Sequence, residues 1–275
     1  MEFASALRAV RTRAPLVQCI TNFVTVNDCA NILLAAGASP TMAHDIREVE
    51  ESVAGVQALV LNMGAIEDAD AMVLAGKRAN TLGIPVVLDP VAAGVTALRR
   101  EVAARLLREV RIAVIRGNAS EIRAMASGEI GGSGVDVAAV DAVTEDNLPQ
   151  AVAMAQTLAR RTGGVVAISG PIDVIADGKH AALLRNGCAT MSRITGSGCM
   201  VTTLAGAFCG ALPEKPFRAA CAALATIGVC GEVAEARRLQ NGTGNATFRT
   251  DLIDAVFNLT EEQLTKGVRY EVYEG

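Results

Sequence analysis

Short runs of aliphatic and β-branched residues alternate along the chain with longer stretches in which apolar positions recur every three to four residues. That alternation predicts βα units around a mostly parallel, buried sheet. ALVLNMG (58–64), PVVLDP (85–90), RIAVIRGN (111–118) and VVAISG (165–170) read as strands, and the first three lead into helical patterns. After Gly170 the period changes, and DVIADG and HAALLRNG read as two short strands joined at Asp177-Gly178, a dipeptide that favours a tight hairpin turn. Residues 198–211 and 214–236, rich in Ala, Gly and Cys, read as buried helices, and FRTDLIDAVFNL (248–259) has amphipathic spacing. SGEIGGSGVDVAAVDAV (127–143) reads as a loop, with a helix resuming after Asn147-Leu148-Pro149.

The chain has 275 residues, no internal repeat and no clear linker, so a single α/β domain over 1–275 is expected. Hydrophobic residues make up 51% but aromatics only 3%, with no Trp, so the core must be built from Ala, Val, Leu and Ile. A net charge of −4 and scattered arginines leave no broad basic surface, which argues against nucleic acid and anionic membrane as partners and for a small-molecule substrate. The seven cysteines are odd in number and have no CxxC spacing, which argues against a disulfide framework and a structural zinc site. Most of them read as small buried hydrophobes. The N-terminus MEFASALRAVRTRAP has no continuous apolar segment, and apolar runs such as VTTLAGAFCGAL fall short of the roughly 20 residues that span a bilayer, so a cytoplasmic location is expected.

Functional groups in such folds gather at the carboxyl ends of strands. ITGSGCM (194–200) places glycines and Cys199 where a helix begins, so free backbone N–H groups and the helix dipole make an anion cradle that favours a thiolate. A plain glycine turn with a small buried thiol accounts for the stretch equally well. Neither GxGxxG nor GxxxxGK[ST] occurs, which removes the main support for a dinucleotide site or a P-loop. Asp89 in DPVAAG (89–94) and Glu121 in NASEI (118–122) put carboxylates at neighbouring strand ends, a pairing that suits Mg²⁺ and phosphates. Each has a structural alternative: Asp89 before proline as a turn residue, and Glu121 in a capping box with Asn118.

PLVQCITNFVTVNDCAN (15–31), LLAAGASPTMA (33–43), LVLNMGAI (59–66), PVVLDPVAAG (85–94), VIRGNASEI (114–122), ITGSGCM and TFRTDLIDAVFNL (247–259), in that order, resemble the hydroxyethylthiazole kinase family of the ribokinase-like superfamily over nearly the whole chain. The resemblance implies a ribokinase-like αβα three-layer sandwich. It implies transfer of a phosphoryl group from ATP, with Mg²⁺, to the primary alcohol of 4-methyl-5-(2-hydroxyethyl)thiazole in thiamin salvage. By motif position it implies Cys199 as base, with Gly196, Ser197, Gly198 and Cys199 as anion hole. Asn27, Met42, Gly64 and Gly196 would line the thiazole pocket, Arg116 and Ser169 would bind ATP phosphates, and Asp89 and Glu121 would handle Mg²⁺ and phosphates. Asn27 capping a helix at 28–36 and Met42 filling the core are the simpler alternatives. The family also implies a homotrimer with active sites between subunits, Asn27 and Met42 from one chain and Cys199 from its neighbour. Two departures stand out: Gln18 in place of the family's usual His, and GTGNATF (242–248) in place of a tighter GPGSF-like turn. A catalytically silent binding protein on this scaffold would lose Asp89, Glu121 or the Gly-Ser-Gly loop, and all are present.

Overall fold

The computed structural model describes residues 1–127 and 142–274. The loop expected over 127–143 therefore lies, apart from its ends, outside the described residues. Among the described residues nine strands form one sheet: β1 (Leu16–Ile20), β2 (Ser39–Thr41), β3 (Ala58–Asn62), β4 (Val86–Asp89), β5 (Val114–Asn118), β6 (Val165–Ser169), β7 (Asp173–Ala176), β8 (Ala181–Leu184) and β9 (Tyr270–Val272). Their order across the sheet is β2-β1-β3-β4-β5-β6-β7-β8-β9. The pairs from β2 to β6 are parallel, and β7, β8 and β9 close the sheet antiparallel. The helices are α1 (Phe3–Arg13), α2 (Val26–Ala36), α3 (Val49–Val53), α4 (Ala69–Leu82), α5 (Ala97–Glu109), α6 (Ala119–Ser127), α7 (Leu148–Thr162), α8 (Ser197–Ala211), α9 (Pro216–Asn241), α10 (Asn245–Asn258) and α11 (Glu261–Gly267).

Side chains alternate across the pleat. Val17, Cys19, Val60, Val87 and Val114 face a core with α1, α2, α8, α9, α10 and α11. Ile20, Leu59, Leu61, Leu88 and Ile115 face a second core with α3 to α7. The strands are thus apolar on both faces, which is why they read as continuous hydrophobic runs. The result is the expected αβα sandwich with a mostly parallel central sheet. Small residues set the spacing: a Cβ at Gly206 would lie 2.5 Å from the Val60 side chain, so α8 rests directly on β3.

The four strands read from the sequence form, although the third begins at Val114 rather than Arg111. The hairpin also forms, through a four-residue loop in which the Asp177 carboxylate accepts the N–H groups of Lys179 (2.7 Å) and His180 (2.6 Å). β1, β2 and β9 were not legible as strands, because two of them have only three residues and β1 is interrupted by Gln18. Among the described residues α9 is the one helix long and apolar enough, by length and composition, to cross a membrane, longer than the apolar runs suggested; 78% of that stretch is buried inside the fold.

Candidate active site

Parallel strands β1 and β3 to β6 deliver their carboxyl ends to one edge of the sheet, where the first turn of α8 meets them. Gly196 is the N-cap residue just before α8; it has φ +85°, and a Cβ there would lie 2.8 Å from Thr25 Cγ2. Only glycine suits both the left-handed turn and the contact. No side chain caps the helix. The N–H groups of Ser197, Gly198 and Cys199 therefore have no intrahelical acceptor, and the helix start is an open cradle of backbone donors.

Arg116, in the middle of β5, lies beneath that cradle. Its guanidinium donates to Ser169 Oγ at the end of β6, and a Cβ on Gly198 would lie 2.6 Å from Nη1. The side chain is buried, and its Nε has no hydrogen-bond partner. A buried guanidinium nitrogen without an acceptor thus lies beside backbone N–H groups that also lack one, so donors exceed acceptors at this point.

On the other side of the cradle, Cys199 joins a chain of amides. Asn62 Nδ2, at the end of β3, lies 3.1 Å from Cys199 Sγ and 3.2 Å from Asp89 Oδ2. Asn22 Nδ2 lies 3.6 Å from the same sulfur and 3.3 Å from Asn62 Oδ1. Thr202, one turn into α8, donates to Asp89 Oδ2 at 2.9 Å. Gly64 N–H donates to Asn62 Oδ1 at 2.8 Å, so Gly64 belongs to this cluster.

The electrostatics correct one expectation. The helix start was expected to lower the Cys199 pKa, but burial and the nearby Asp89 push the thiol up, and hydrogen bonds with Thr25, Asn62 and Asn22 only partly offset them. The thiol is the resting form at neutral pH. Asp89, 1% exposed, is pushed up to about 6, chiefly by burial, with Arg116 pulling down and Glu121 pushing up.

Glu121 realises the capping box. Its Oε2 accepts the Asn118 N–H (2.8 Å), while Asn118 Oδ1 accepts the Glu121 N–H (2.9 Å). Oε1 reaches across to the Ala92 N–H (3.0 Å), so the same carboxylate also braces the loop after Asp89. Among the described residues no hydrogen bond links Asn27 or Met42 to this cluster. Asn27 lies inside the first turn of α2 rather than capping it, exposed, with Oδ1 accepting from Asn31. Met42 is half-buried, packed against the core on the α8 side. Gln18 is fully buried and donates from Nε2 to Ala43 O (2.8 Å), next to Met42.

Sequence reading missed Asn22, Asn62 as a partner of the thiol, Thr202 and Asp173. Asn62 had a positional signal, since it ends a strand; Thr202 had none. Asp173 opens β7, accepts the Gly170 N–H (3.0 Å), and is pushed up to about 7 by burial, with Gly170 and Arg116 pulling down.

A model of the hydroxyethylthiazole kinase family matches residues 7–262. A hydroxyethylthiazole kinase of Clostridium acetobutylicum is 46% identical over 269 residues, covering 97% of this chain and 98% of that protein. One of Desulfovibrio desulfuricans is 46% identical over 279 residues, covering 98% and 97%. The structure of the hydroxyethylthiazole kinase protein from Pyrococcus horikoshii OT3 superposes with a TM-score of 0.86 at 34% identity, covering 99% of both chains. The pyridoxal kinase of Bacillus subtilis, in an ADP complex, shares the fold at a TM-score of 0.60 and 17% identity, covering 78% of this chain and 90% of that one.

Proposed function

The chain belongs to the hydroxyethylthiazole kinase family, and from that premise we propose that it transfers the γ-phosphoryl group of ATP to the primary hydroxyl of 4-methyl-5-(2-hydroxyethyl)thiazole, within one kinase domain over 1–275. The observation that carries the mechanism is the juxtaposition of an uncapped helix start with a buried guanidinium whose Nε is unsatisfied. The N–H groups of Ser197 to Cys199, with Arg116 and Ser169, bind the phosphate oxygens of ATP. The alcohol approaches from the side of Gly64 and Gly196, with its hydroxyl next to Cys199 Sγ.

Phosphoryl transfer passes through a loose transition state, so positioning and charge neutralisation dominate and the alcohol loses its proton late. A thiol that is protonated at rest must first lose its proton, so the acceptor is the minor thiolate form, which takes the alcohol's proton as the new O–P bond forms and becomes more abundant toward alkaline pH. The amides of Asn22 and Asn62 steady the sulfur, and their hydrogen bonds favour its charged form.

The donor set fits Mg²⁺. Burial is the main cause that raises Asp89, Glu121 adds repulsion, and a bound cation would offset both. Both Glu121 oxygens already accept backbone N–H groups, so Glu121 acts through water and Asp89 is the nearer ligand. When bound there, Mg²⁺ would supply positive charge to neutralise the phosphate oxygens. Among the described residues no three His, Cys, Asp or Glu side chains cluster, in keeping with a cation held mostly by substrate and water.

A homotrimer with shared sites accounts for Asn27 and Met42. Asn27 shares its segment with Phe23, 81% exposed, and Val24, 60% exposed, large apolar side chains that a neighbouring subunit would cover.

The test is turnover by the purified protein with ATP and Mg²⁺ on a panel of alcohols: the thiazole, hydroxymethylpyrimidines, pyridoxal and sugars. Selective formation of the thiazole phosphate is expected; preference for another alcohol would reassign the pocket. Cys199→Asp tests the proton acceptor. A carboxylate starts from an ordinary pKa of about 4, so even with the burial and the Asp89 charge at this position it is ionised far more than the thiol at neutral pH, and this variant is expected to keep or raise kcat and to lose the rise of rate toward alkaline pH expected of the thiol enzyme. A folded but inactive Cys199→Asp, or a Cys199→Ala that keeps the full rate, removes Cys199 from that role.

A further inference from the structure

The peptide unit joining Val91 to Ala92 lies two residues beyond Asp89, and both of its polar ends are held by charged side chains. Its N–H donates to Glu121 Oε1 at 3.0 Å. Its C=O accepts from Arg99 Nη1 at 2.9 Å. The same Nη1 donates to the carbonyl of Met63 at 2.6 Å, so one nitrogen joins the turn after β4 to the turn after β3, between Asn62 and Gly64. Arg99 is itself fixed in the first turn of α5, where its N–H donates to the N-cap hydroxyl of Thr96 at 3.2 Å. Ala92 has φ +56°, one of two non-glycine residues with positive φ among the described residues. A left-handed alanine persists only where its surroundings impose it, and here the two ends of the preceding peptide do so.

We propose that Arg99 is a positioning residue for phosphoryl transfer. It locks the Asp89–Gly94 turn and the Asn62–Gly64 turn in one register, so that the carboxylate on the metal side and the amides on the alcohol side keep a fixed separation. The inference rests on the functional reading above. Arg99 has no assigned contact with substrate and acts through Asp89 and Asn62. Its neighbour Arg100 donates to the Gly94 carbonyl, at 2.8 Å, but among the described residues makes no hydrogen bond to the Asn62–Gly64 turn, so it serves as an internal control for the bridge.

The experiment compares the full-length protein with Arg99→Met, Arg99→Lys and Arg100→Met. It measures amide hydrogen exchange over 62–65 and 89–94, Mg²⁺-dependent ADP binding by calorimetry, and steady-state kinetics. Arg99→Met is expected to speed exchange in both segments together, to weaken Mg²⁺-dependent ADP binding, and to lower kcat by about 10- to 100-fold, the scale of a misplacement near 1 Å. Arg99→Lys, which restores a cationic donor, is expected to recover most of each effect, and Arg100→Met to change none of them by more than about twofold. The proposal is overturned if Arg99→Met folds and leaves metal-dependent binding and kcat unchanged, or if only one of the two segments loosens. Should Arg99→Met fail to fold, Arg99→Lys carries the test: native exchange in both segments with unchanged metal dependence supports the proposal, and native exchange with lost metal dependence overturns it. Wild-type protein that binds Mg²⁺ and ADP without phosphorylating the thiazole would refute the substrate assignment while the exchange and binding arms still judge Arg99.

Discussion

Gly198→Val is expected to abolish turnover while leaving the protein folded. Any side chain at 198 places its first carbon 2.6 Å from Arg116 Nη1, and Arg116 is buried and tied to Ser169, so it has no solvent route of escape. The valine therefore both fills the space where a phosphate oxygen would meet the α8 N–H groups and pushes away the guanidinium that shares the load. Loss of one such donor alone costs about 3–4 kcal/mol in other enzymes. Loss of two together is expected to lower kcat by at least about 1,000-fold, each tenfold corresponding to about 1.4 kcal/mol. Thermal unfolding and ATP turnover measured on the same preparation check it. A folded Gly198→Val with kcat within tenfold of wild type would mean that the anion binds elsewhere.

Asp89→Asn is expected to lower activity and raise stability at once. The carboxylate is buried and its folded pKa is pushed up to about 6, above its ordinary 3.8. The folded state therefore holds the proton more tightly than the unfolded state. The stability this confers is fully present below pH about 4, is lost as pH rises toward about 6, and at neutral pH the ionised group is a net burden. A shift of about two units corresponds to on the order of 3 kcal/mol. The amide keeps an oxygen for the Thr202 hydroxyl, at 2.9 Å from the present Oδ2, so most of that burden is removed. The unfolding midpoint at pH 7.5 without metal is expected to rise by on the order of 5 °C. Turnover is expected to fall by about 100-fold or more, because charge neutralisation at the phosphates is worth several kcal/mol. Mg²⁺ with ADP should stabilise the wild type and barely affect the variant. A lower midpoint with an unaltered metal response would make Asp89 a purely structural turn residue.

β3 to β6 could be read because they are apolar on both faces, and burial from two sides leaves an unbroken run such as Val86–Leu88, while β7 and β8 were read from the turn signal Asp177-Gly178 between them. β9 gave no such signal; it pairs with β8 at the sheet edge and is mostly exposed, so tertiary contact rather than residue preference makes it a strand. Glu121 shows how sequence signals can be ambiguous without being empty. The Asn118–Glu121 spacing announced a capping box, which forms, and the same carboxylate still braces the turn that carries Asp89.

What the sequence determined by itself was local: the alternation that makes an αβα sandwich, the glycines that open α8, and the residue types at strand ends. These follow from φ/ψ preferences and periodicity, which act within a few residues of each other. What only the tertiary structure decided was which of those groups meet and in what state. Asn22, Asn62 and Cys199 are far apart in the chain and converge only when β1, β3 and α8 pack. Arg99 reads as an ordinary surface arginine until its guanidinium is seen bridging two turns. Cys199 is pushed up rather than down because burial and the charge of Asp89, both products of packing, outweigh the local pull of the helix start. Protonation depends on distances in space, and a linear chain does not carry them.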